Sequence, residues 1–242
     1  MFASDDARLL LVRNGLGDLD AVFSAGATAG CRHTGRTVWS RELVDSAGRS
    51  VRVFVKMNWG RLRLWPRMTD LKTGQWLQSL PAREWDGLGR IEPLGLNVPE
   101  RLALFHRGLF SFRSAVIVRA VPAKQSVFEM FQQGSWQRLP RQIQQQIFDE
   151  MVSMMRTIHE TGLAWRGTST RHFFPARIAA NVWKLWIIDC EGVHGHATPK
   201  SFQRDYRKLL KSLEQSGADR STIDLLRKSI NRISRPGVSD AA

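Results

Sequence analysis

The sequence predicts an α+β protein of two lobes, an antiparallel sheet lobe followed by a mostly helical lobe. Three observations carry this. Apolar and polar residues alternate strand-fashion through much of the first half, with turn residues between the runs. In the second half the apolar residues recur at helical spacing. The change falls at Val121-Pro122, and 242 residues are too few for two independent enzymes. The expected division is therefore 1–121 and 122–242, two lobes of one domain.

The first half reads as strands and turns. Ala21 to Ala25 is a short apolar run ending in Gly-Ala-Thr-Ala-Gly. Thr37 to Val44 mixes β-branched and aromatic residues with polar ones. Asp45-Ser46-Ala47-Gly48-Arg49-Ser50 has turn chemistry, and Val51-Arg52-Val53-Phe54-Val55-Lys56 alternates as a half-buried strand. The result is a hairpin whose second strand ends on a lysine. Asn58 to Arg67, rich in Trp and Arg, reads as an irregular basic loop. From Asp70 to Leu94 the pattern is helical, with Ala82, Trp85, Leu88 and Ile91 on one face, and Gly95 and Pro99 end it. Arg101 to Phe105 and Ser114 to Val121 are two further strands, the second broken by Pro122.

In the second half Ile143, Ile147, Met151, Met154 and Ile158 step by four, four, three and four, one buried stripe of a long helix that stops at Gly162. Methionines at this spacing are core filler. Arg177-Ile178 and Val182 to Ile188 form a short hairpin. Phe202 to Leu213 and Thr222 to Ile233 are basic amphipathic helices, and the tail from Ser234 is expected to fray.

Composition narrows the function classes. The formal charge of +14 favours anionic partners: nucleic acid, acidic lipid head groups or phosphorylated sugar. Cys31 and Cys190 provide neither a disulfide framework nor metal-ligand spacing, so a reducing compartment is expected. Asp5 and Asp6 precede only the short run Leu9 to Val12, which is not the basic start and long apolar core of a secretory signal. No segment reaches the roughly 20 apolar residues of a membrane span.

The order of features then points to chemistry: a hairpin strand with Lys56, a helix with Glu84, a strand into Pro122, a long helix, a polar loop, a hairpin, and Asp189. A kinase-like fold assembles its site in this order. A lysine holds nucleotide phosphates, a helix glutamate orients that lysine, and an aspartate after the last hairpin gives a divalent metal its hard oxygen ligand. Singly, each residue reads as well as a solvated charge or a turn; together and in order they read as a site.

The sequence also resembles the lipopolysaccharide-core kinases that phosphorylate heptose or Kdo. The matching stretches are Val53-Phe54-Val55-Lys56, Ala82-Arg83-Glu84-Trp85, Ile158-His159-Glu160-Thr161-Gly162, Arg171-His172-Phe173, Ile187-Ile188-Asp189, Pro199-Lys200 and Arg204-Asp205-Tyr206. The resemblance implies a protein-kinase-like bilobal fold with ATP and Mg²⁺ as cofactors. Lys56 would hold the ATP phosphates and Glu84 would pair with it. Arg119 to Val121 would be the hinge that binds adenine, and Asp189 with His172 would be at the metal. It implies a lipopolysaccharide core oligosaccharide or lipid-linked precursor as acceptor, and a cytoplasmic protein peripheral to the inner membrane. From the residues themselves, Arg61, Arg63 and Arg67 beside Trp59 and Trp65 read either as a contact with an anionic bilayer or core phosphates, or as a solvated loop with its tryptophans packed inward.

One departure stands out. The family's catalytic loop reads His-Arg-Asp with a His five residues after that Asp, whereas here Trp165-Arg166-Gly167 precedes an in-register His172. Gly167 therefore occupies the position of the base, with Arg166 and His172 keeping their places. Glycine cannot accept a proton, so the loop is degenerate. Three readings stay open: an ATP-dependent sugar kinase, weakly active or with a nearby group such as Glu191 or Asp205 as base; a pseudokinase that serves a partner; and a nucleic-acid-binding protein using nine tryptophans among many arginines. The last lacks any recognised nucleic-acid motif.

Overall fold

The structure, a computed structural model, describes residues 1–28, 35–61, 78–108, 111–179, 182–195 and 197–233. The chain divides into two compact units, Met1–Gly89 with Pro99–Ala120, and Arg90–Val98 with Val121–Ala242.

The first unit opens with two helices, α1 (Asp5–Arg13) and α2 (Leu19–Thr28), where the sequence suggested strands and turns. The local signals are capping ones. The Ser4 side chain accepts the Ala7 amide with Asp5 and Asp6 in the first turn, and Asp18 accepts the Ala21 amide at 2.9 Å. Four antiparallel strands follow: β1 (Arg36–Val44), β2 (Ser50–Arg61), β3 (Arg101–Arg107) and β4 (Ser111–Arg119), in the order β1-β2-β4-β3. Strand β2 runs on to Arg61, so Asn58 to Arg61 is strand and not loop; 62–67 lie outside the described residues. On one sheet face Val51, Val53, Val55 and Met57 pack with Ala115, Ile117, Leu102 and the apolar sides of α1 and α2. Phe54 pairs with Val118 and Lys56 with Val116, so period-two alternation puts Lys56 on the other face.

Helix α3 (Leu80–Ile91) begins in the first unit and ends in the second, and a 3-10 turn closes it at Gly95, which has φ 71°. The expected helix from Asp70 begins instead at Leu80, since Gln78 and Ser79 are not helical; 70–77 lie outside the described residues. The second unit contains α4 (Val127–Gln132), α5 (Arg141–Glu160), the two-residue strand β5 (Ala164–Trp165), the hairpin β6 (Phe173–Ala179) and β7 (Val182–Ile187), a second short strand β8 (Val193–His194), and helices α6 (Pro199–Gln215) and α7 (Arg220–Ile233). Ile147, Met151, Met154, Met155 and Ile158 of α5 are buried, and Gly162, at φ 77°, follows its last turn. Trp136 is fully enclosed, its ring 4.7 Å from Phe131 and 4.9 Å from Phe148.

Candidate active site

Two clusters contain the residues singled out from the sequence. In the first unit, Lys56 Nζ lies 2.5 Å from Glu84 Oε1. Lys56 is on an interior strand, with β1 on one side and β4 on the other, and its side chain is 15% exposed; that of Glu84 is 2% exposed. The helix that presents Glu84 is tied to the same sheet. Ser79 accepts the Ala82 amide and donates to Ser114 Oγ of β4 at 2.8 Å, and Ser114 donates to the Phe105 carbonyl. A carboxylate this deep is retained at a cost unless its cation stays with it, so the pair holds the lysine in one geometry.

In the second unit, a 3-10 turn over Thr170–His172 brings His172 Nε2 to 3.4 Å from Asp189 Oδ2. Backbone bonds fix both partners: the Ile188 amide donates to the His172 carbonyl, and the His172 amide to the Ser169 carbonyl. Asp189 is at φ 58°, ψ 57°, the one non-glycine residue at positive φ among the described residues. Aspartate tolerates this region better than most side chains, and isolated strain of this sort gathers at functional sites.

The loop that leads into His172, from Trp165 to Thr170, is clamped along its length. Asp205, fully buried on α6, accepts the Trp165 amide at 3.3 Å and the His159 Nε2–H at 3.2 Å through Oδ2, and Arg204 Nε at 2.9 Å through Oδ1. Seven residues further along α6, Ser212 Oγ accepts the Thr170 amide at 3.0 Å and meets the Thr170 and Ser169 hydroxyls. The Arg166 amide donates to the Gly192 carbonyl, while the Arg166 carbonyl accepts Lys208 Nζ. Gly192 has to be small: a Cβ there would come within 2.9 Å of the Gly167 amide nitrogen. Gly167 itself is different. A Cβ on it would meet Trp165 Nε1 at 3.5 Å and His172 Cε1 at 3.9 Å, ordinary contacts, and its φ is outside the left-handed region. The backbone therefore still accommodates an aspartate.

The remaining expectations separate. Arg119 ends β4 with its guanidinium on Glu100 at 2.6 Å, and the chain passes from one unit to the other between Ala120 and Val121. Asp205 is buried and both its carboxylate oxygens already accept hydrogen bonds, so it is not available as a proton acceptor. Glu191 is half-buried in the 3-10 turn after Asp189. Trp59 packs edge-on against Phe23, centroids 5.9 Å apart, an inward role; Arg63, Trp65 and Arg67 lie outside the described residues. The clamping role of Ser212 has no counterpart in the sequence reading. Polar residues at core-facing positions of an amphipathic helix, such as Asp205 and Ser212 beside Leu209 and Leu213, were the available signal.

Among the described residues there is no group of three His, Cys, Asp or Glu side chains able to hold a metal by themselves. Magnesium does not require one, because it is commonly held by one or two carboxylates together with substrate phosphates and water. Asp189 fits that ligand type. His172, a nitrogen donor, fits better as the group that orients the carboxylate.

Comparison with known proteins bears on the fold and the family. No curated protein matches by sequence. A solved structure described as WaaP in complex with acyl carrier protein is similar in fold, with a TM-score of 0.58 at 20% identity over 85% of this chain and 77% of that one. The α+β architecture is thus the kinase-like fold of that structure. Residues 29–235 match the lipopolysaccharide kinase (Kdo/WaaP) family, and the chain belongs to that family.

Proposed function

We propose that the protein is an ATP-dependent, kinase-like protein of the lipopolysaccharide inner core, with a nucleotide site built on Lys56, Glu84 and Asp189. The observation that carries this reading is the Lys56–Glu84 pair, a 2.5 Å contact with the carboxylate almost wholly buried. A buried ion pair adds little stability over well-packed apolar side chains, so its retention points to use of the lysine. In this reading Lys56 binds nucleotide phosphates and Glu84 holds its ammonium in place. The Arg119–Val121 segment borders the adenine, and Asp189, oriented by His172, supplies the oxygen ligand. Mg²⁺ bound with ATP would neutralise charge on the transferring phosphoryl group. Arg166 and the clamped loop position the acceptor, a core oligosaccharide or its lipid-linked precursor, at the cytoplasmic face of the inner membrane. That solved relative was in complex with acyl carrier protein, which makes a carrier-protein partner a further candidate here.

A second reading, a pseudokinase, is favoured by one observation: Gly167 provides no proton acceptor, and Asp205 is sealed in the core. Loss of a general base lowers rate by ~10²–10⁴ without removing nucleotide binding. Transfer of label from γ-³²P-ATP to deacylated core oligosaccharide separates the two. Slow transfer by wild type, raised in Gly167→Asp but not in Gly167→Ala, and abolished by Asp189→Ala, is the expected pattern. Transfer absent from every variant, with nucleotide still bound, would leave the pseudokinase.

A further inference from the structure

One hairpin of the second unit carries an apolar tip flanked by cations. Strand β6 starts directly after His172 and β7 ends two residues before Asp189, so the hairpin springs from the residues that bring those two together. Its base is buried, with Phe173, Leu185 and Ile187 wholly enclosed. Its far end is not. Arg177, Ile178 and Ala179 are exposed, as are Val182 and Lys184 on the returning strand; the turn itself, 180–181, lies outside the described residues. Ala179 pairs with Val182, and a bulge separates that pair from Arg177 opposite Trp183. Ile178 is 48% exposed and Val182 46%, and they are the only exposed large hydrophobic side chains among the described residues of the second unit. Apolar side chains exposed singly are ordinary, whereas two β-branched ones at one tip call for a cause. The stretch from Arg171 to Ile188 contains Arg171, Arg177 and Lys184 and no Asp or Glu. Arg177 Nε–H donates to the Ala179 carbonyl, and neither Arg177 nor Lys184 has an ion-pair partner among the described residues. Half-buried Glu150 senses the Lys184 charge, but burial dominates there and its carboxylate accepts the Leu185 amide. Trp183, opposite Arg177, and Trp186, opposite Phe174, add two half-buried indoles along the stem.

We propose that the end of the β6–β7 hairpin, through Ile178 and Val182 flanked by Arg177 and Lys184, docks the protein on an anionic lipid bilayer. Apolar side chains that enter the acyl boundary, cations at the headgroups and tryptophan between them are the composition such a contact takes. Size favours a lipid surface over a protein. A stable protein interface takes about 800 Å² per partner, more than this tip presents, whereas a bilayer accepts a few side chains and adds its own negative potential. The formal charge of +14 draws the molecule toward such a surface, and the tip gives the contact an orientation. It rests on the kinase-like reading for its setting, the membrane that holds a lipid-linked acceptor. Within that setting the hairpin also fixes a distance. The seven residues of β6 span roughly 20 Å at about 3.4 Å per residue, so a hairpin docked by its tip holds His172 and Asp189 at most that far away, within reach of sugars that project from the headgroups.

Sedimentation of the full chain with phosphatidylglycerol–phosphatidylcholine vesicles, and with phosphatidylcholine alone, tests the contact. Three double variants are compared with wild type: Ile178→Ser with Val182→Ser, Arg177→Gln with Lys184→Gln, and, as a control of equal charge, Lys211→Gln with Lys228→Gln on α6 and α7. All six side chains are exposed, so each variant is expected to fold, which its melting temperature checks. Wild type is expected to bind the anionic vesicles and not the neutral ones. The serine pair weakens that binding about tenfold or more, and the hairpin glutamine pair about fivefold per cation removed. The control pair changes it less than about twofold, since charges more than a Debye length from the lipid are screened. No binding by wild type would overturn the proposal. So would an equal loss from the control pair, which would make the attraction a property of the whole charge. Affinity untouched by the serine pair would overturn it too, and would leave Ile178 and Val182 to a protein partner. The rise in melting temperature with Mg–AMP-PNP, measured on the same samples, separates this contact from the reading it rests on. Vesicle binding through the hairpin without that rise would leave the contact standing and remove the kinase-like reading.

Discussion

Lys56 and Glu84 show how a single contact can be tested for purpose. Because Glu84 is buried, Lys56→Ala strands its carboxylate and is expected to lower stability by about 3–5 kcal/mol. The double variant Lys56→Met with Glu84→Leu removes both charges, and denaturant unfolding is expected to recover most of that loss while nucleotide binding stays absent. A double variant no more stable than the single would mean that the pair itself supports the fold. At Gly167 the expectation is milder. Contacts of 3.5 Å and beyond leave room for a side chain, so Gly167→Asp and Gly167→Ala are each expected within about 1 kcal/mol of wild type. A change in transfer rate then reports chemistry and not folding.

At the scale of elements, α6 acts as the spine of the loop from Trp165 to Thr170. Asp205 fixes its start and Ser212 its end, two core-facing positions seven residues apart, so removal of Asp205 loosens the loop and strands Arg204. Asp205→Ala is expected to destabilise by about 3–5 kcal/mol, with hydrogen exchange at the Trp165 amide accelerating before that of the β2 and β4 strands. Uniform acceleration would argue against a local clamp. The strong periodicities were legible in the sequence: the alternation of Val51 to Lys56, the apolar stripe of α5 and the stop at Gly162. Helices α1 and α2 were not, because their signals are the single capping residues Ser4 and Asp18 beside short apolar runs. The continuation of β2 past Asn58 was hidden for another reason: its Trp and Arg residues suggest a loop until pairing with Arg36 and Ser111–Ser114 is seen. Order along the chain singled out Lys56, Glu84 and Asp189, while Ser212 acquires meaning only from the loop that folds beside it.

For the whole molecule, half-buried Glu150 and buried His194 set opposing pH slopes. Burial raises the Glu150 pKa above 4.5, although its carboxylate accepts the Leu185 amide, so the protonated form suits the fold and stability declines as pH rises past that value. Burial lowers the His194 pKa below 6.5, so its contribution is complete above 6.5 and is lost as pH falls through the depressed value. Thermal unfolding followed across this range is expected to lose its decline toward higher pH in Glu150→Gln and its acid-side loss in His194→Gln. The charge of +14 adds a salt dependence to any acceptor binding, steepest at low ionic strength. The proposed function depends on Lys56 and Asp189 each contributing to nucleotide binding. Its most direct test is the rise in melting temperature produced by Mg–AMP-PNP. The kinase-like reading predicts a concentration-dependent rise in wild type and in Gly167→Asp, lost in both Lys56→Met and Asp189→Asn. No rise in wild type, or a rise that survives both substitutions, would contradict it.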